Sequence, residues 1–261
     1  MATHPVIALL TDFGARDSYV ASMKGVILAG SPSASIVDIS HSVKPGDISQ
    51  AAFLLWSAYR HFPRNTIFVC VVDPGVGTSR KVLCVSGDGH KFLAPDNGLL
   101  KYVLGSFKKA TCFELKSEKY FNKEVSPTFH GRDIFAPVAA HLSKGLKISA
   151  LGPKCTLEFG GEHFVRVDER LKRNYEGRVL HIDNFGNIIT SFLIDVPTEG
   201  FRLEFGAHSI SKFCSTYAAG SGKRPFMIRG SSGLLEISVK NKSAAGVLAA
   251  RLNQKIKLYR I

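Results

Sequence analysis

The sequence predicts an α/β protein: an N-terminal Rossmann-like α/β domain with a largely parallel sheet, followed by a smaller C-terminal antiparallel β-barrel-like domain. Three observations predict it. Strand-like and helix-like segments alternate through the first half, the rhythm of strands joined by helical crossovers. The run Thr66 to Asp73 (TIFVCVVD) is continuously apolar and rich in β-branched residues, which suits a strand covered on both faces. Beyond a polar, charged stretch near 166–174 (RVDERLKRN), the pattern shifts to short alternating runs separated by turn residues.

Taken in order, Val6 to Asp12 reads as a strand and Ser18 to Leu28 as a helix, ended by Gly30 and Pro32. Ala34 to Ile39 reads as a strand. Asp47 can cap a helix from Ile48 to Phe62, with Pro63 beyond its end. After the central strand come three strand runs (Val82 to Ser86, Phe92 to Ala94, Cys112 to Leu115) and a helix over Arg132 to Ser143. The boundaries are then 1–165 for the first domain, 166–174 for a linker and 175–261 for the second domain. The second holds runs at Tyr175 to Ile182, Ile188 to Phe192, Phe201 to Phe205, Phe226 to Ile228, Leu234 to Val239 and Ile256 to Ile261, with a short helix around Ala244 to Leu252.

Composition narrows the class. The chain has 261 residues, 45% hydrophobic and 21% charged, an ordinary globular balance. The apolar run Val6 to Leu10 is too short for a signal-peptide core, and no stretch approaches a membrane span, so a cytoplasmic location and no membrane partner are expected. The net charge of +13 is scattered, with no long basic run or interleaved aromatics, so no nucleic-acid partner is expected. Five widely spaced cysteines without a C-x-x-C read as buried reduced thiols. No H-x-x-x-H or H-E-x-x-H spacing occurs among the nine histidines, so no dedicated metal site is expected.

Carboxylates recur at strand ends. Asp12, Asp73 and Asp96 each close a strand-like run, as Asp183 does in the second half. In open α/β sheets ligands bind outside the carboxyl ends of the strands, so Asp12, Asp73 and Asp96 could face one crevice. Each alone is equally a turn opener. Such carboxylates suit a metal, a ribose diol or a ligand ammonium. The segment Asp73-Pro-Gly-Val-Gly-Thr-Ser-Arg80 is neither a phosphate-binding P-loop nor a dinucleotide fingerprint. His130 sits in Pro127-Thr-Phe-His-Gly-Arg-Asp133, just before a helix, and no G-x-S-x-G elbow exists.

These segments together resemble one family. Thr11-Asp-Phe-Gly14 and Asp17-Ser-Tyr-Val20 are followed by His41 to Ile48 (HSVKPGDI), Val72 to Thr78 with Arg80, and Ala94-Pro-Asp-Asn-Gly98. Thr128 to Asp133, Asp183-Asn-Phe-Gly-Asn187, Ser231 to Glu236 and Ser243-Ala-Ala245 complete the set in order. The chain is similar to the S-adenosyl-L-methionine (SAM) hydrolases that form adenosine, also called SAM hydroxide adenosyltransferases, relatives of SAM-dependent fluorinases and chlorinases. The resemblance implies a homotrimer with each site between the N-terminal domain of one subunit and the C-terminal domain of the next, SAM as a small-molecule substrate, and no cofactor. It implies Asp73, Arg80 and His130 as the catalytic triad. By the same resemblance Asp12 accepts the ribose diol, Thr78 and Gly131 wall the nucleophile, and Asp183 meets the methionine ammonium. Asn187 and the Ala245 backbone meet adenine, and Ser231 the methionine carboxylate.

The chemistry this implies is in-line attack of water on C5′. A sulfonium leaves without an acid, so the difficulty lies in positioning a weak nucleophile. Asp73 would orient or polarise the water, Arg80 would keep Asp73 ionised, and His130 would accept or relay the proton. The alternatives are a halide nucleophile on the same scaffold, a nucleoside- or nucleic-acid-binding module without turnover, and a metal hydrolase built on the aspartates. His130 argues against any halide and Gly131 against fluoride.

Overall fold

The computed structural model describes residues 4–157, 164–168, 174–195 and 200–261. The chain divides into two compact units, residues 1–161 and 162–261.

The first unit is built on a seven-stranded sheet. Its elements are β1 (Val6–Thr11), α1 (Tyr19–Gly30), β2 (Ser35–Ser40), α2 (Ile48–Ala58), β3 (Ile67–Val71), β4 (Val82–Gly87), β5 (His90–Pro95), α3 (Lys101–Leu104), β6 (Ala110–Glu114), α4 (Ala136–Ser143) and β7 (Lys154–Cys155). The strand order is β2-β1-β3-β5-β4-β6-β7. β2, β1, β3 and β5 run parallel, whereas β4, β6 and β7 pair antiparallel. The sheet is therefore partly rather than largely parallel. The reason is local: β4 and β5 are joined by the two-residue Asp88-Gly89 turn, with both residues at positive φ, and such a turn can only make a hairpin.

β1 and β3 are buried almost throughout, as a strand covered on both faces must be. Ile7, Leu9, Val69 and Val71 pack on one face with Met23 and Ile27 of α1 and Val138 and Leu142 of α4. Asp47 caps α2 by accepting the Gln50 N–H at 2.9 Å. The helix predicted over 132–143 starts as a π-helical turn, Gly131–Phe135, before α4 proper.

The expectation of five reduced thiols is corrected. Cys112 on β6 and Cys155 on β7 are register partners, their Cα atoms 5.3 Å apart, and they form a disulfide. Wide spacing in sequence had argued against pairing, but the sheet brings the two together. Cys70, Cys84 and Cys214 are free and buried.

The second unit contains β8 (Val165–Val167), β9 (Tyr175–Ile182), β10 (Ile188–Ile194), β11 (Phe201–Phe205), β12 (His208–Ile210), β13 (Phe226–Arg229), β14 (Leu234–Ser238), α5 (Ala244–Leu248) and β15 (Lys255–Arg260). Its eight strands follow the path β12-β11-β15-β9-β10-β14-β13, with β8 paired to β10. Every pairing except β8–β10 is antiparallel. The two ends of the path meet: Phe213, just past β12, bridges to Met227 in β13, and the Cys214 N–H donates to the Met227 carbonyl at 2.9 Å. This brings the sheet close to a barrel around Phe192, Phe205, Leu235 and Leu258.

The expected linker at 166–174 begins with strand β8, and its residues 169–173 lie outside the described residues. Among the described residues no helix is long and apolar enough to cross a membrane.

Candidate active site

In the first unit, two strand-end aspartates and the His130 segment line one cleft of about 220 Å³, shared by Asp12, Phe13, Asp73, Phe129, His130 and Gly131. Asp12 follows β1 and Asp73 follows β3, neighbouring parallel strands, so the sheet itself delivers both carboxylates to its carboxyl edge. Asp96 follows β5 but lines a separate cleft with Lys81 and Lys101. The expectation of three aspartates in one crevice therefore holds for two.

Arg80 organises the centre. Its Nε donates to both Asp73 oxygens, at 2.9 and 2.7 Å, and its Nη2 also pairs with Asp73 Oδ2. Nη2 lies 2.8 Å from His130 Nδ1. The side chains of Arg80 and Asp73 are only 11% and 4% exposed, so the pair is strongly coupled and weakly screened. A guanidinium donates and never accepts, so Nδ1 must be the acceptor. A neutral His130 consequently carries its proton on Nε2. Burial, followed by the positive charge of Arg80, holds the His130 pKa below its ordinary value.

The turn between Asp73 and Arg80 is closed by Thr78, whose hydroxyl donates to the Gly75 carbonyl at 2.7 Å. Gly77 has φ +79°, and a Cβ there would stand 2.5 Å from the Pro127 carbonyl. Glycine thus lets the Arg80 turn lie against the segment that carries His130. At Gly131 a Cβ would meet Met23, Phe13 and Phe129 at 3.2 to 3.4 Å, a tight wall. Asp12 Oδ2 accepts the Gly46 N–H at 2.8 Å.

The second unit carries its own cavity, of about 930 Å³, lined among others by Asp183, Phe185, Asn187, Tyr217 and Ser243. Asp183 holds its loop shut: Oδ1 accepts the N–H groups of Phe185 (2.9 Å) and Asn187 (2.8 Å), and Oδ2 accepts Asn187 Nδ2 at 2.8 Å. Ser231 lies exposed in the turn between β13 and β14 and is not among the lining residues. Ala245 has both backbone groups occupied. Its N–H donates to the Gly186 carbonyl at 2.9 Å, and its carbonyl accepts from Ala250 at 2.9 Å. The neighbouring segment 239–243 lines the cavity.

Sequence reasoning missed Tyr217 and Glu236. The Tyr217 hydroxyl donates to Glu236 Oε2 at 2.8 Å, and Glu236 is buried on β14. Burial, with Asp183 adding to it, raises the Glu236 pKa. An acid in the fully buried strand Leu-Leu-Glu-Ile-Ser was the signal that could have found it. Among the described residues no group of three or more His, Cys, Asp or Glu side chains could hold a metal ion.

A carboxylate–guanidinium–imidazole centre at the carboxyl edge of a partly parallel sheet, followed by a barrel-like unit with a second cavity lined by Asp183, Lys240 and Lys242, defines a two-unit ligand-transforming protein of α/β and β construction. The chain belongs to the SAM hydroxide adenosyltransferase family: the family's N-terminal domain matches residues 7–152 and its C-terminal domain residues 177–257. It is 36% identical to an (R)-S-adenosyl-L-methionine hydrolase of Thermus thermophilus, over 97% of this chain and 98% of that one. A fluorinase of Nocardia brasiliensis is 29% identical over 72% of this chain and 71% of its own. The crystal structure of an uncharacterized conserved protein from Thermotoga maritima covers 97% of this chain and 100% of its own, with 33% identity and a TM-score of 0.85.

Proposed function

We propose that this chain hydrolyses S-adenosyl-L-methionine to adenosine and L-methionine, by in-line attack of water on C5′. The observation that carries the reading is the Asp73–Arg80–His130 cluster in a cleft shared with Asp12, in a member of this family. Its hydrolase relative from Thermus thermophilus aligns over 97% of the chain.

In the reaction the C5′–S bond breaks and its electron pair goes to sulfur, which leaves as a neutral thioether. Water oxygen bonds to C5′, and one proton is released. The substrate brings its own positive charge, so neither an acid nor a Lewis acid is required at the leaving group. No metal or redox cofactor takes part. The attacking water is held within reach of C5′, which supplies several kcal/mol through proximity and orientation. His130 Nε2–H offers it a donor. Asp73, paired with Arg80, is the group that draws off its proton once the new bond forms. With its Nδ1 occupied by Arg80, His130 orients the water rather than acting as the first base.

Thr78 and Gly131 wall the water, and Asp12 accepts the ribose diol through Oδ1. Asp183 and Ser231 meet the methionine ammonium and carboxylate. Asn187 and the Ala245 backbone meet adenine. The site residues fall into two sets, one per unit, which supports a homotrimer in which the N-terminal unit of one copy meets the C-terminal unit of the next. The four parallel strands serve as a Rossmann-like core with the ligand at its carboxyl edge.

The test is turnover of SAM in ¹⁸O-labelled water. Label in the adenosine 5′-hydroxyl supports the reading; unlabelled adenosine, or none, removes it. A halide nucleophile would give 5′-halo-adenosine instead. Activity lost to a chelator and restored by a divalent ion would overturn the cofactor-free chemistry.

A further inference from the structure

Asp133 belongs to the Phe129-His-Gly-Arg-Asp133 motif but takes no part in the chemistry above. It is 1% exposed, a depth at which a carboxylate persists only with dedicated partners. Its oxygens accept four hydrogen bonds. Oδ1 takes Asn122 Nδ2 at 3.0 Å and Arg132 Nε at 2.7 Å; Oδ2 takes the Ser126 N–H at 3.0 Å and Arg132 Nη2 at 2.9 Å. These bonds overcome the upward push of burial and hold the Asp133 pKa below its ordinary value.

The partners are placed along one stretch of chain. Asn122 opens it and Ser126 stands midway, and Asp133 closes it. The backbone agrees, since the Asn122 N–H donates to the Asp133 carbonyl at 2.9 Å and the Asp133 N–H to the Phe129 carbonyl at 3.1 Å. The Arg132 guanidinium lies 5.0 Å from the centre of the Phe129 ring. Ser126 in turn bonds Thr128, Oγ to Oγ1, at 3.1 Å. His130 sits inside this ring of contacts, at the mouth of the π-helical turn Gly131–Phe135. Such turns insert an extra residue and re-aim a side chain, and they concentrate at functional sites.

We propose that Asp133 is a positioning residue of the reaction: by tying the start and middle of segment 122–133 to its end, its carboxylate sets where His130 stands beside Arg80. This rests on the reading of His130 given above. The alternative is that Asp133 merely satisfies buried donors and leaves His130 indifferent to its charge.

The charged groups that face His130 are Arg80, Asp73 and Asp133, with Asp12 in the same cleft. Asp133 is one of the two anions that raise the affinity of His130 for a proton. Asp133→Asn removes that anion and turns an amide NH₂ toward a donor. Asn122→Ala removes one tie and keeps the charge.

The experiment is an NMR titration of the His130 imidazole in the substrate-free protein, assigned by loss of the signal in His130→Ala, together with SAM turnover. In Asp133→Asn, His130 is expected to titrate at lower pH than in the unmodified protein. In both variants kcat is expected to fall, by on the order of 10²-fold for Asp133→Asn, while the dissociation constant for SAM changes less than threefold. Should Asp133→Asn not fold, a lowered kcat with retained SAM affinity in Asn122→Ala supports the proposal, and an unchanged kcat there overturns it. Folded variants with an unmoved His130 titration and kcat within twofold also overturn it. The titration needs no substrate, so a chain that releases no adenosine would remove the proposed function while the link between Asp133 and His130 is still read.

Discussion

Arg80 donates to His130 Nδ1 across 2.8 Å, and this contact settles what the imidazole can do. With that lone pair engaged, His130 offers a donor toward the cleft and has no free acceptor. His130→Ala is expected to lower kcat by about 10²-fold or more, with SAM affinity kept. Asparagine can place an amide oxygen near the former Nδ1, so His130→Asn is expected to recover part of that loss. Adenosine release measured for both variants is the check, and an asparagine variant as slow as the alanine one would favour a proton-accepting histidine.

The same contact fixes a pH dependence. Burial and then Arg80 hold the His130 pKa below its ordinary value, so the neutral form persists below pH 6.5. Turnover is expected to stay level from pH 8 down through 6.5 and to fall only in more acid solution, where protonation at Nδ1 expels the Arg80 bond. The sign for stability agrees. A depressed histidine pKa contributes stability above the ordinary value and loses it as pH falls through the folded-state value. His130→Asn should lack the part of the acid limb that belongs to this group.

Asp12 gives a separable effect on binding. Oδ2 is tied to Gly46, and Oδ1 has no protein partner among the described residues, as the proposed diol contact requires. Asp12→Ala is expected to raise KM for SAM by roughly 10-fold or more, the worth of one or two hydrogen bonds to a charged group. A 2′-deoxy analogue of SAM distinguishes this from general damage: the unmodified enzyme should discriminate against it, and the variant should not.

Glu236 predicts a stability change of opposite pH sense. Its raised pKa means that its contribution is fully present below the ordinary glutamate value and is lost as pH rises through the folded-state value. Glutamine can still accept from Tyr217 and never ionises. Glu236→Gln is therefore expected to melt a few degrees above the unmodified protein at pH 8, with the difference vanishing near pH 4.5. Melting curves at the two pH values test this.

The disulfide can be counted. Denatured without reductant, the chain should present three reactive thiols (Cys70, Cys84 and Cys214) and, after reduction, five. Cys112→Ser is expected to destabilise the first unit by about 2–4 kcal/mol, the usual effect of losing a tie that closes a long loop.

Most of the framework was legible in the sequence because its signals are local. The apolar run of β3 announced a buried strand, and Asp47 announced the start of α2. What escaped was set by partners distant along the chain. The hairpin that turns half the first sheet antiparallel hinges on two residues, Asp88 and Gly89. Two-residue β7 carries no periodicity, so its pairing with Cys112 had no signal. At the site, order along the chain was enough to bring Asp73, Arg80 and His130 together by resemblance. The hydrogen bonds that occupy Ala245, and the Tyr217–Glu236 pair, depend on how turns fold back on strands.

Phe185 shows what the closed Asp183 loop means for a ligand. The residue is 79% exposed, yet its backbone is held by the Asp183 carboxylate. An aromatic surface presented on a braced loop needs little further loss of backbone freedom when something stacks on it. The entropy of arranging that surface was surrendered during folding, so contact made there is retained as affinity.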